Sequence, residues 1–188
     1  MRGVSAALIA LIAVIAMLGI LWSRGISAQD KDKYNVKIPN GLAFSEFRGY
    51  ESWQLISISQ DGPAVAAILG NPAMIKAYES GSPANGKPFP DGAKMAKMHW
   101  APTKMGIFPA ATVPGALKNV DFMEKDSKRF ADSGGWGWAV FDYNAASDMF
   151  TPGTTSDTPP QGNDAKCGLA CHTTVKGRDY VFTDYAKR

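Results

Sequence analysis

The residues best suited to chemistry lie in one short segment of the 188-residue chain, Cys167-Gly-Leu-Ala-Cys171-His172. It contains the two cysteines of the chain, and a histidine follows the second one directly. Covalent attachment of a c-type haem needs two thiols, which bond the haem vinyl groups, and an adjoining imidazole, which binds the iron. The spacer is one residue longer than in C-x-x-C-H, and the small residues Gly168 and Ala170 allow it to bulge. The segment predicts one covalent haem c, attached at Cys167 and Cys171, with His172 as proximal iron ligand.

The alternative for the two thiols is a structural disulfide. Residues four apart on a helix do not readily reach disulfide geometry, and the adjoining histidine would then be a coincidence. The motif therefore favours haem.

The first 28 residues are typical of an export signal. Arg2 supplies a positive start, Val4 to Trp22 form an uncharged and almost wholly apolar run, and Ile26-Ser27-Ala28 ends in small residues. The apolar run is also long enough for an uncleaved membrane anchor, so that alternative stays open. Both alternatives place the remaining chain outside the cytoplasm, and we expect a periplasmic protein.

The charge balance argues against nucleic acid as a partner. The chain carries 20 basic and 17 acidic side chains, a formal net charge of +3, and the export segment holds two of the basic residues, Arg2 and Arg24. The sequence contains no cluster of Lys and Arg interleaved with aromatic residues, which is the pattern expected of a nucleic-acid-binding surface. Residues 29–40 form a polar lead-in, and residues 41–188 have the length of a single domain.

Short β-branched and aromatic runs alternate with Gly- and Pro-rich turns along this domain. A helix is predicted from Asn71-Pro72 to the residue before Gly81, and loops over 82–92 and 151–164. This pattern predicts an α+β fold, mainly an antiparallel β-sheet with a few flanking helices, with the haem held against the sheet by a C-terminal helix or loop. The predicted strands are 53–59, 64–69, 93–101, 120–123 and 136–143.

The strand over 93–101 carries two residues of chemical interest on one face. With a side-chain period of two, Met95, Lys97 and His99 share that face. Lys97 either faces the haem or extends to water at the sheet edge. His99 is either a distal proton shuttle or iron ligand, or a strand histidine bonded to a neighbour or to solvent.

Five segments, in this order, resemble the cytochrome P-460 family, whose relatives include cytochrome c′-beta. The resemblance extends from about residue 40 to the C-terminus. The segments are Phe89-Pro-Asp-Gly92 with Lys97 five positions on, Lys125-Asp-Ser-Lys-Arg-Phe130, Gly135-Trp-Gly-Trp-Ala-Val-Phe141, Ala170-Cys-His172 and Asp179-Tyr-Val-Phe-Thr183.

The resemblance implies a mainly antiparallel β domain, usually a homodimer, with one c-type haem against the sheet. Some members oxidise hydroxylamine with a haem that is cross-linked to a lysine, and relatives without the cross-link bind nitric oxide or other small gases. The lysine corresponds to Lys97, and the distal carboxylates correspond to Asp126 and Asp121. Taken without the resemblance, Asp126 among Lys125, Lys128 and Arg129 is typical of a solvated charged turn.

The function that follows is an exported mono-haem cytochrome, an oxidoreductase acting on hydroxylamine or nitric oxide at a five-coordinate iron. In it His172 holds the iron, Lys97 tunes or cross-links the macrocycle, and Asp126 handles protons, with Asp121 as the second candidate carboxylate. Its expected partners are the small nitrogenous substrate or gas, a periplasmic electron-transfer protein and a second copy of the chain. Two alternatives stay open: a non-catalytic gas-binding protein, and an electron carrier with a sixth iron ligand such as His99 or a methionine.

Overall fold

The computed structural model describes residues 34–36, 41–153 and 165–188. The predicted export segment, most of the polar lead-in and most of the loop before the haem motif lie outside the described residues. Within these ranges, no helix is both long enough and apolar enough to cross a membrane.

A single antiparallel sheet organises the described residues. Every strand is hydrogen-bonded to the strand that follows it in sequence, so the sheet is a meander in the order β1 to β6. This confirms the predicted α+β fold with a mainly antiparallel sheet. The strands are β1 (Gln54–Asp61), β2 (Ala64–Gly70), β3 (Lys94–Met105), β4 (Phe108–Lys125), β5 (Trp136–Asn144) and β6 (Met149–Pro152). The helices are α1 (Pro72–Glu79) and α2 (Ala165–His172), with short 3-10 helices at Phe44–Phe47, Tyr50–Ser52, Ala131–Ser133 and Thr173–Arg178.

The two faces of the sheet pack against different parts of the chain, because successive side chains of a strand point to opposite faces. One face carries Ala96, Val120 and Phe122 and is covered by aromatic residues of the segment before β1, among them Phe44 and Phe47. The other face is covered by α1, by the loop after it and by the segment after α2. Its buried residues include Met95, Met123, Trp136, Trp138, Phe89 and Val181.

Helix α1 begins and ends where the sequence predicts. The Asn71 side chain accepts a hydrogen bond from the amide of Met74 (3.0 Å), and Pro72 occupies the first turn. The same Asn71 oxygen accepts from the amide of Lys94 (3.0 Å), which ties the start of the helix to the start of β3.

The hairpin of β3 and β4 is longer than predicted. The sequence predicts a strand only over 120–123, whereas β4 begins at Phe108 and β3 continues to Met105. The pairing of β3 with β2 stops at Trp100, and the pairing of β4 with β5 begins at Asn119. Between these points, residues 101–117 form a two-stranded ribbon, here called the arm. Pro102 faces Pro114 within it. Prolines are tolerated there because no further strand among the described residues pairs with the arm.

Strand β6 is a second difference from the sequence-based prediction, which placed a loop over 151–164. Met149–Pro152 pairs with β5 at the edge of the sheet, and Pro152 ends the strand. Short edge strands that stop at a proline carry little sequence signal.

Candidate functional site

A row of four side chains crosses the sheet on the face covered by the C-terminal segment. Ile68 of β2 lies opposite Lys97 of β3, Lys97 opposite Asp121 of β4, and Asp121 opposite Val140 of β5. Partners directly opposite one another in antiparallel strands point to the same face. The strand register therefore brings the predicted Lys97 and Asp121 side by side, although 23 residues separate them in the sequence.

Helix α2 packs on the same face, against β5. A methyl group added at Gly168 would lie 2.6 Å from Cγ of Trp138, so only glycine allows the helix to come this close to the strand. Cys167 and Cys171 are exposed on the helix and are not joined by a disulfide. The helix thus holds two thiols and His172 over the row of sheet side chains.

A cavity and a cleft lie between α2, the tail after it and the sheet. The cavity has a volume of about 150 Å³ and the cleft of about 700 Å³. Both are lined by Lys97, Asp121 and His172, and the cleft also by Cys167 and Cys171. The other residues that line both are Ile68, Phe122, Trp138, Phe182 and Thr183. The walls of both are therefore mainly apolar; the cavity has one cationic and one anionic side chain, Lys97 and Asp121, and the cleft has a second carboxylate, Asp61.

His172 is held in one orientation. Its Nδ1 lies 2.6 Å from the carbonyl oxygen of Tyr180. Because a carbonyl only accepts, Nδ1 carries the proton and the lone pair of Nε2 remains available to a metal. The imidazole also contacts the rings of Trp138 and Phe182, with centroid distances of 5.6 and 5.0 Å.

The His172 imidazole is neutral at pH 7. Burial lowers its pKa below the ordinary value of 6.5, the hydrogen bond to Tyr180 raises it, and the positive charge of Lys97 lowers it. Neutral imidazole is the form that binds metals.

These residues fit a c-type haem. Two exposed thiols on one helix border the cleft, a neutral imidazole with a fixed tautomer follows the second thiol, and the walls are largely apolar. Histidine ligands of metals commonly donate their second ring N–H to a carbonyl in this way.

Asp121 is the carboxylate that the structure brings beside Lys97 in the cavity. Its Oδ2 lies 2.9 Å from Nε2 of His99, and its Oδ1 accepts a hydrogen bond from the side chain of Asn119. The Asp121 side chain is 38% exposed and that of His99 is 17% exposed. His99 is not among the residues that line the cleft; it contacts the site through Asp121.

Asp126 lies elsewhere, which corrects the expectation that it joins Lys97. Its Oδ1 accepts hydrogen bonds from the amides of Lys128 (3.0 Å) and Arg129 (2.9 Å), so the carboxylate caps the turn after β4. It does not line the cleft, because β4 ends at Lys125 and the chain turns away there. The structure supports the solvated-turn alternative for this residue.

Residues 47–183 match the family model described as Cytochrome P460. The chain belongs to the cytochrome P-460 family. This match spans the sheet, helix α2 and the histidine, and it agrees with the resemblance carried by the five sequence segments. As a cytochrome P-460 family member, the protein is a c-type haem protein with one covalently attached haem c. No curated protein matches the chain.

Sequence reasoning on this cytochrome P-460 family member missed groups that act through the backbone or through distant contacts. The acceptor for His172 is the backbone carbonyl of Tyr180. Every residue has such a carbonyl, so the residue type at position 180 does not predict this role. Asn119 gave no signal either, although it is two residues from Asp121 on the same strand face. The segment Asp179–Thr183 did stand out in the resemblance, and it supplies Tyr180, Phe182 and Thr183 to the site.

Proposed function

We propose that this cytochrome attaches its haem through Cys167 and Cys171, binds the iron through Nε2 of His172, and acts as an exported oxidoreductase on hydroxylamine or nitric oxide. One observation carries the proposal: Lys97 and Asp121 line the same cavity as His172. A protein that only transfers electrons has no need of a carboxylate and an amine at that place.

Haem c, when bound, supplies an iron that exchanges electrons and can bind a small nitrogenous ligand. Oxidation of hydroxylamine releases protons together with electrons, so the site needs a base. Asp121 is suited to accept those protons because it borders the cleft and is partly exposed. Its other contact, His99, can pass a proton on towards solvent, which keeps Asp121 ready to accept the next one.

Lys97 has two roles in this proposal. As a free ammonium it favours an anionic group in the cleft, and as a cross-linked amine it alters the electronic properties of the macrocycle. The cross-linked form fits oxidation of hydroxylamine, and the free form fits binding of nitric oxide without turnover. The electron-carrier alternative is weakened by His99, whose Nε2 is engaged with Asp121.

The function is tested by Asp121→Asn, with Asp126→Asn as the matched control. We expect Asp121→Asn to keep its haem and to bind nitric oxide, but to lower hydroxylamine-dependent reduction of an artificial electron acceptor by ~10²–10⁴-fold, which is typical for loss of a general base. Asp126→Asn should retain the rate, because its carboxylate caps a turn outside the cleft. Equal rates for wild type and Asp121→Asn would overturn the catalytic proposal and leave gas binding.

We also propose that the protein works in the periplasm as a homodimer and passes electrons to a periplasmic protein. The arm supports the dimer. Its strands pair only with each other among the described residues, and its tip exposes Ile107 (95%) and Phe108 (60%). An isolated two-stranded ribbon is marginally stable in water, so a second copy of the chain would complete its packing.

A further inference from the structure

A buried ion pair lies beside the site and has no part in the chemistry proposed above. Lys125, at the end of β4, is 6% exposed, and its Nζ lies 2.6 Å from Oδ1 of Asp179 and 2.9 Å from the carbonyl oxygen of Gly134. The second carboxylate oxygen of Asp179 accepts a hydrogen bond from the amide of Phe89 (2.7 Å). Neither charged residue lines the cavity or the cleft that contain His172.

The ion pair is adjacent to the residue that orients the histidine. Asp179 and Tyr180 are consecutive residues with left-handed backbone angles, φ 50° and 63°. Non-glycine residues adopt this conformation at a cost, and it persists only where surrounding contacts enforce it. The turn they form directs the Tyr180 carbonyl to Nδ1 of His172.

Lys125 contacts both this turn and the segment that packs against the Tyr180 ring. Its ammonium binds the carboxylate of Asp179 on one side and the carbonyl of Gly134 on the other. Gly134 in turn packs against the Tyr180 ring, since a methyl group added there would lie 2.2 Å from the ring. One buried cation therefore holds together the two segments between which Tyr180 is placed.

We infer that the Lys125–Asp179 ion pair is a positioning device for the proximal histidine. It fixes the Tyr180 carbonyl as acceptor for the Nδ1–H of His172, and a strong acceptor at Nδ1 makes Nε2 a better electron donor to iron. This inference rests on the proposed ligation of haem iron by His172. A purely structural ion pair would change stability alone.

The test uses Asp179→Asn in the haem-loaded full chain. Asparagine keeps an oxygen for the Phe89 amide and tolerates the left-handed backbone, so the change removes mainly the charge. We expect a lower iron–histidine stretching frequency in the resonance Raman spectrum of the ferrous protein and a higher midpoint potential, because a less firmly held carbonyl leaves Nε2 less basic. Lys125→Met should shift both quantities in the same directions.

The control is Glu46→Gln, which weakens the ion pair between Arg129 and Glu46 on the other side of the sheet. It should lower stability without moving the frequency or the potential. If Asp179→Asn does not fold, Lys125→Met removes the same ion pair from its other partner and tests the inference by the same shifts. Unchanged frequency and potential in the variants that fold would overturn the inference.

Failure of the proposed haem ligation is distinguishable from failure of this inference. A wild-type protein without an iron–histidine band would refute ligation by His172, and the inference with it. A wild-type band that persists unshifted in Asp179→Asn would refute only the positioning role.

Discussion

Lys97 poses an energetic problem at the scale of the single residue. Its side chain borders a cavity with mainly apolar walls, where an ammonium must be paired or neutralised. Asp121 lies opposite it on β4 and can pair with it. If the lysine nitrogen were bonded to the haem, the positive charge would be absent, and with it the cost of partly desolvating the half-buried ammonium.

We predict that proteolytic digestion of the haem protein yields a haem peptide that contains both residues 167–172 and Lys97. Lys97→Leu should return the electronic spectrum to that of an ordinary c-type haem, because the macrocycle is then no longer distorted by a third covalent bond. Lys104→Leu, a change in the arm, should leave the wild-type spectrum. Mass spectrometry and absorption spectra are the measurements.

A haem peptide that contains the C-terminal segment alone would contradict the cross-link. The preferred function would then be binding of nitric oxide, with Lys97 as a free cation in the cleft.

The sequence could place Lys97 and His99 on one face, because that inference needs only the period of two along one strand. It favoured Asp126 as the distal carboxylate, whereas the structure places Asp121 beside Lys97. The choice depends on the register of the β3–β4 hairpin, which pairs Lys97 with Asp121, and on the end of β4 at Lys125. Register over so long a hairpin depends on its turn and on its irregular pairs near Trp100, and neither is evident from residue types.

At the scale of the secondary-structure element, the docking of α2 on β5 decides whether the thiols face the cleft. The helix is close to Trp138 because residue 168 has no side chain. Enlarging a residue in a packed contact typically costs ~1–3 kcal/mol.

We predict that Gly168→Ala lowers the free energy of unfolding by roughly this amount and lowers the fraction of protein that carries haem. The added methyl group would displace α2, and the cysteines with it, from the cleft. Ala170→Ser, a change at an exposed position of the same helix, should alter neither quantity. Denaturant unfolding and the ratio of haem absorbance to protein are the measurements, and a fully loaded Gly168→Ala protein of wild-type stability would contradict the prediction.

The tail after α2 is fastened to α1 by a buried tyrosine. The Tyr78 hydroxyl donates a hydrogen bond to the carbonyl of Thr183 (2.7 Å), a residue that lines the cleft. Burial raises the pKa of Tyr78 well above its ordinary value of 10. The folded protein therefore keeps this proton at a pH where the unfolded chain has released it.

We predict that stability falls as the pH rises above about 10, because the unfolded state then binds fewer protons than the folded state. Tyr78 contributes a slope of about 1.4 kcal/mol per pH unit in that range. Tyr78→Phe should lose roughly 1 kcal/mol at neutral pH and show a smaller alkaline slope. Denaturant unfolding at several pH values measures both, and equal slopes for the two proteins would refute the role of Tyr78.

The elements with regular alternation or a clear cap were predictable, and the arm was not. Helix α1 has its Asn-Pro start, and β5 has alternating aromatic residues. The first half of β4 contains Pro109, Pro114 and Gly115, which are typical of loops. It can still form a strand because the arm pairs along one side only, so a proline that lacks an N–H can be accommodated on the unpaired side.

At the scale of the whole molecule, the arm is expected to mediate association. Two variants at its tip, Ile107→Asp and Phe108→Asp, should give a monomer in sedimentation velocity, because a charge at a buried apolar contact is costly. Ile58→Asp is a matched control: Ile58 is 66% exposed, but it lies on β1 at the far edge of the sheet. A dimer that survives both arm changes would show that the arm is not the interface.

The order of the elements along the chain also sets an order in time. Each strand pairs with its neighbour in sequence, and α2 with the histidine follows all six. If the chain is exported as proposed, it emerges across the membrane amino end first, and pairing between strands that are neighbours in sequence closes only short loops, so the sheet can form early. On this order, the segment with Cys167 and Cys171 would arrive last, at a sheet that is already formed, and both thiols would be open to haem attachment before the helix packs on β5.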